Sequence, residues 1–223
     1  MRNNAVVIGS LAAFSTAAYR SLGNFTVHNL ITAPDNLTAA FAYLIVGGWT
    51  GVIGGLVFSK FLGRKLIDPE FTKLAIRNPE MHLRAVFSGG ISAGSTLFLL
   101  LGNQLGDPSV LIALANLTVI YTLFYDTWKR QANLKQLLLP TTITVIGGMM
   151  TTFNGSLSIT VLGLFYVLIM SNGLDAVSRI LEQQGVRCSD AVSFFIWRFF
   201  WLATIGTLLA IFVSVLRGYH SLL

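Results

Sequence analysis

Apolar runs long enough to cross a lipid bilayer recur along this chain, and they restrict its fold more than any other feature. About 20 such residues span the hydrocarbon core as an α-helix. In hydrocarbon each backbone N–H and C=O must find a partner within its own segment or in a closed barrel. The runs are too long, and alternate too little, for barrel strands of roughly ten residues. The expected architecture is therefore all-α, a polytopic membrane helix bundle. Spans are predicted near 4–22, 36–62, 83–103, 108–127, 134–153, 157–180 and 190–216. Charge usage agrees: only 11% of residues are charged, less than half of the roughly 25% that soluble domains use. The first run also follows Arg2 and ends in Ser15-Thr16-Ala17, as in a cleavable signal; removal would leave six spans.

Orientation follows from the basic residues. Arg2, Lys60, Arg64, Lys65, Lys73, Arg77, Arg84, Lys129, Arg130, Lys135, Arg179 and Arg187 fall on one side of the predicted topology, twelve of the 15. Arg20 and Arg217 fall on the other, and Arg198 lies within a span. The positive-inside rule puts the N-terminus in the cytoplasm and the C-terminus on the opposite side. The longest polar connection runs from Gly63 to Arg84. Asp68-Pro69 resembles an N-cap followed by proline at the first helical position, and Asn78-Pro79 ends the pattern. A short interfacial helix at about 69–77 is expected, its basic residues near anionic lipid; a solvated loop is the alternative. Asn103-Gln104-Leu105-Gly106-Asp107-Pro108 and Asn154-Gly155-Ser156 are expected to make short outer turns.

Small residues form stripes inside two spans. Gly47, Gly51 and Gly55 stand four apart, with Gly48 and Gly54 beside them; Gly90 and Gly94 follow in the next span, among Ser88, Ser92 and Ala93. Such stripes let helix backbones approach closely. They serve static packing and also surfaces that rock against each other. Arg198 is set among Phe194, Phe195, Trp197, Phe199, Phe200 and Trp201. A cation at mid-span costs about 2.5–3.5 kcal/mol on insertion scales. Either its side chain stretches to the interface, or it faces the bundle interior toward a carboxylate, with Asp175 as one partner, or toward an anionic substrate group. Uncharged polar groups within spans include Ser92, Ser95, Thr96, Asn116, Thr118, Tyr121, Tyr166, Ser171 and Asn172. These serve as interhelical hydrogen bonds or as cavity donors.

Several chemistries are not expected. Cys188 is the only cysteine, and His28, His82 and His220 lie far apart, so neither a disulfide nor a metal site is predicted. No HExxH motif or Walker loop occurs, and no paired carboxylates stand at membrane depth. Asp175, Arg179 and Glu182 read as a salt-bridged cytoplasmic helix end. The chain is expected to be neither an enzyme nor a nucleic-acid binder, and to need no cofactor. The last span has no lysine to hold retinal.

The residues also resemble the drug/metabolite transporter superfamily in its EamA-type form. Ser92–Asp126 resembles the family's third and fourth helices, Asp126 standing where glutamate is common. Ile143–Met150, with Gly147 and Gly148, resembles the glycine-containing fifth helix, and Arg198-Phe199 an Arg-Phe pair in the second helix of a repeat. The family's mid-helix proline in helix four is missing, and helix two lacks the arginine of helix seven. The resemblance implies two inverted repeats of five helices, of which 1–153 would be the first and 154–223 two helices of the second. It implies a transporter moving a small organic metabolite by alternating access, with Ser92, Ser95, Asn116, Tyr121, Tyr166, Asn172 and Arg198 as candidate lining residues. Its partners would be the bilayer, a small molecule, and a second copy or other membrane subunits. The other expectation is a non-catalytic structural subunit of a larger membrane complex.

Overall fold

The computed structural model describes residues 35–61, 71–106, 108–115, 117–129 and 160–217, with Thr26 and Ile31 besides. The predicted spans 4–22 and 134–153 lie outside these residues, as do Asn116 and Asp68-Pro69. The described elements are helical: α1 (Asn36–Phe58), α2 (Pro79–Asn103), α3 (Pro108–Ala115), α4 (Thr118–Trp128), α5 (Val161–Cys188) and α6 (Ala191–Leu216). Within α5 the segment Phe165–Ser171 is a π-helix. Four of them, Asn36–Phe61 with its last turn included, Pro79–Asn103, Val161–Cys188 and Ala191–Leu216, are long and apolar enough to cross a membrane. The large apolar side chains left exposed on them, such as Val46, Ile53, Leu208, Phe212 and Val215, suit lipid as the surrounding medium.

Each long helix begins on a polar cap. The first N–H groups of a helix have no partner within it, and a short oxygen-bearing side chain supplies one. Asp35 accepts from Thr38 N at 2.9 Å, Asn78 from Met81 N at 3.1 Å, Thr160 from Gly163 N at 3.0 Å and Asp190 from Ser193 N at 2.7 Å. Asn78-Pro79 thus starts α2 four residues before its predicted beginning, with Glu80 in the first turn.

The short interfacial helix predicted at about 69–77 is a correction. Residues 71–78 run without helical structure. Their backbone groups bond to side chains of α6 and α2. Ala75 N donates to Ser193 Oγ at 2.9 Å, Trp197 Nε1 donates to Ala75 O at 2.8 Å, and His82 Nε2 donates to Ile76 O at 2.8 Å. Phe71 packs on Val192 and Ile196. Side chains here satisfy groups that helix formation would otherwise have to pair. Replacing Ser193 with alanine is expected to loosen this strap by about 1 kcal/mol. Limited proteolysis at Lys73 and Arg77 should then quicken about fivefold, and an unchanged rate would contradict the assignment.

The span predicted at 108–127 is broken between α3 and α4. Leu117 N bonds to Leu114 O at 3.0 Å, a tightened turn. Asn172 of α5 spans the break: its Nδ2 donates to Leu114 O at 3.0 Å, and its Oδ1 lies 2.9 Å from Thr118 Oγ1. The helix predicted at 157–180 begins at Val161 and continues to Cys188.

The core is made by α2, which packs on both α5 and α6, and by α1 against α6. Gly48 faces Ala203, Gly51 faces Phe199 and Gly55 faces Ile196, whereas Gly54 faces open space. The contact stripe therefore includes Gly48 in place of Gly47. On α2 the closest approach to the backbone of another helix is at Gly89, where an added Cβ would lie 2.7 Å from Arg198 O and 2.9 Å from Leu202 N. Gly185 lies under the buried Phe194 ring, which a Cβ would strike.

Candidate functional site

Serines at seven-residue spacing align α2 with α5. Ser88 Oγ lies 3.0 Å from Ser178 Oγ, and Ser95 Oγ lies 3.3 Å from Ser171 Oγ. The helices therefore run antiparallel, and Asp175 comes to the level of Ser92. Small side chains on both helices permit this approach, and the hydroxyls pair without water.

Arg198 of α6 points into this seam. Its Nη2 forms an ion pair with Glu182 Oε1 at 2.6 Å and donates to Ser92 Oγ at 2.9 Å. Its Nε donates to Ser88 Oγ at 3.2 Å, and Ser178 Oγ donates to Glu182 Oε1 at 3.3 Å. Either of the Ser88 and Ser178 hydroxyls can donate to the other, and Ser178 Oγ also lies 3.1 Å from Ser88 O, so the four side chains form a closed ring of contacts. The side chains of Arg198 and Glu182 are only 13% and 20% exposed. The cation therefore faces the interior, and the carboxylate it meets is Glu182. Asp175 instead pairs with Arg179, Oδ2 to Nε at 3.0 Å.

Beside the ring is a cavity of about 190 Å³. Ser92, Ser95, Thr96 and Asn103 of α2, Ser171, Asp175 and Arg179 of α5, Arg198 of α6 and Tyr43 of α1 give its polar wall. Leu99, Leu100, Phe199 and Leu202 give the apolar one. Asn103 is 2% exposed, and its Oδ1 has no hydrogen-bond partner among the described residues. A buried acceptor in that condition costs about 1–3 kcal/mol unless something in the cavity donates to it.

The predicted site residues separate into groups. Ser92, Ser95 and Arg198 meet at this cavity. Asn172 is fully buried away from it and bridges the α3–α4 break. Tyr121 donates through its hydroxyl to Leu168 O at 2.7 Å, a carbonyl of the π-helical segment. Widening a helix by one residue loosens its hydrogen-bond register, and the phenol supplies a partner there. Tyr166 lines a separate, open recess with Gln104, Asp35 and Arg217. There Arg217 Nη1 bonds to Asp35 Oδ2 at 3.1 Å. The Thr38 backbone N–H is the main reason that the Asp35 carboxyl lies below its ordinary value, with the Thr38 hydroxyl and Arg217 acting in the same direction. Asn116 lies outside the described residues.

Sequence reasoning passed over Tyr43, Asn103, Asp175 and Arg179 as lining groups. The signal for Asp175 was its place on the serine face, four residues after Ser171 and three before Ser178. Among the described residues no group of three metal-ligating side chains occurs. Set against models of protein families, curated proteins and solved structures, the chain finds no match.

Proposed function

We propose that this is a transporter-like integral membrane protein that moves a small organic metabolite by alternating access. The observation that carries the reading is a cavity between helices of membrane-spanning length, lined by Arg198, Arg179 and Asp175 among serines. Ionisable groups inside a span are costly, and they occur chiefly where a polar pathway or ligand uses them. The glycine contacts between α1 and α6 support the same reading, since small-residue faces slide with little interlocking. So does the resemblance to the drug/metabolite transporter superfamily. α1 and α6 pack together, and in two repeats of five they hold the same position in each half.

The fuller topology belongs to the same proposal. It comprises seven spans, a cytoplasmic N-terminus, a C-terminus on the opposite side, and repeats divided at 153/154. The distribution of the 15 basic residues supports it. One observation favours a second reading, a structural subunit: the Arg198–Glu182 ring is closed on itself and needs no ligand to satisfy it. The test is efflux from vesicles loaded with a defined mixture of organic acids, amines and amino acids, read by mass spectrometry. At least one component should leave faster than from protein-free vesicles, and Arg198→Gln should slow it about tenfold or more, the scale of one lost charge-assisted contact. Equal loss of every component with and without protein, together with purification in fixed ratio with another polypeptide, would favour the subunit.

A further inference from the structure

We infer that the recess at the Asp35–Arg217 end of the bundle holds the headgroup of a membrane phospholipid with a primary ammonium beside its phosphate, as in phosphatidylethanolamine. The recess shares no lining residue with the cavity beside Arg198, and the inference does not depend on the transport reading.

The recess, of about 620 Å³, lies where α1 and α5 begin and α2 and α6 end. Pockets that hold small ligands are typically of roughly 300–1,000 Å³. Its lining carries donors that the fold leaves unused. Arg217 engages Asp35 through Nη1, and its Nε and Nη2 make no hydrogen bond among the described residues. The Tyr166 hydroxyl, in the same lining, makes none among them either. A guanidinium edge and a phenol in one recess suit phosphate oxygens.

Gln104 has the opposite need. Its Nε2 donates to Asn36 O at 3.3 Å, which fixes the orientation of the amide. Its Oε1 is then a buried acceptor with no partner among the described residues, and an N–H donor would relieve it. Asp35 adds negative charge to the same lining and needs no free lone pair to attract a cation. A primary ammonium answers both. Trimethylammonium has no N–H to give, and a glycerol headgroup has no cation for Asp35.

The surroundings favour a lipid over a soluble phosphate. Val161 and Phe165 on α5, and Phe212 and Leu216 on α6, are exposed apolar side chains leading from the recess toward the middle of the bundle. They offer acyl chains a path on helices of membrane-spanning length.

The test uses the full chain, delipidated in detergent and offered dioleoyl phosphatidylethanolamine, phosphatidylcholine or phosphatidylglycerol, with bound lipid read by native mass spectrometry. The ethanolamine lipid is expected to bind at least about fivefold tighter than the other two, the scale of one hydrogen bond. Gln104→Leu should erase its preference over the choline lipid while lipid still binds. Arg217→Gln should weaken the ethanolamine lipid about tenfold, as loss of a charge-assisted contact requires. Both members of the Asp35–Arg217 pair are a third or more exposed, so this variant keeps its fold. Choline or glycerol lipid held as tightly as the ethanolamine lipid would overturn the inference, as would a preference that neither substitution moves. Free phosphoethanolamine at equal concentration should not displace the lipid; displacement would mean a soluble ligand and would overturn it too.

Discussion

Glu182→Leu is expected to lower stability by about 3 kcal/mol or more, and adding Arg198→Leu to the same chain should restore most of that loss. The first substitution leaves a guanidinium held by two serine hydroxyls inside the helix bundle, with no countercharge. Breaking one side of a buried ion pair typically costs about 3–5 kcal/mol, whereas replacing both members by apolar groups is often near neutral. Both side chains here are mostly buried, and the 2.6 Å contact joins α5 to α6 across the serine ring. Unfolding in mixed micelles, followed by circular dichroism as the denaturing detergent fraction rises, would measure the three chains. The double variant should be stable and inactive in efflux, which separates folding from function. A single variant as stable as the original protein would mean that Arg198 reaches water or lipid headgroups and does not depend on Glu182.

Gly89→Ala should cost about 2–3 kcal/mol, while Gly54→Ala should cost nothing measurable. Overfilled cores typically lose 1–3 kcal/mol because neighbours must shift. At Gly89 the neighbours are backbone atoms, Arg198 O at 2.7 Å and Leu202 N at 2.9 Å from the new Cβ. Neither can rotate aside, so α6 itself must move, and Arg198 moves with it. Gly90, though adjacent, meets only the flexible end of Ile205 and should tolerate alanine better. The same micelle titration measures all three. Equal behaviour of the Gly89 and Gly54 variants would contradict the α2–α6 contact.

How much of this was legible beforehand depends on the kind of signal. Apolar run length gave α1, α2 and α6 nearly whole, because hydrocarbon admits few other backbones. Local chemistry at 68–79 misled. Asn78-Pro79 reads as the end of a helix, and it instead caps and begins α2. Ser193 and Trp197, more than a hundred positions away, hold the backbone at Ala75, and no local pattern encodes that. The same limit applied to Arg198. Its depth could be counted from Asp190, but its partner depended on which carboxylate of α5 the serine register brought into reach. Asp175 and Glu182 stand seven apart, two turns along one face, and periodicity alone does not choose between them. Tyr121 and Asn172 read as cavity donors because they are polar at mid-span. They are occupied by a π-helical carbonyl and by a helix break, irregularities of backbone that the sequence pattern did not display.

The central claim is that a water-accessible polar cavity lies among helices whose outer faces meet lipid. Its most direct measurement is thiol accessibility in a Cys188→Ser background, since Cys188 is the only cysteine. Thr96→Cys would place a thiol on the cavity wall, and Leu208→Cys one on an exposed apolar face of α6. A charged, membrane-impermeant methanethiosulfonate should modify the Thr96→Cys protein in vesicles at least about tenfold faster, because thiolate forms in water and not in hydrocarbon. Equal, slow modification at both positions would contradict the account.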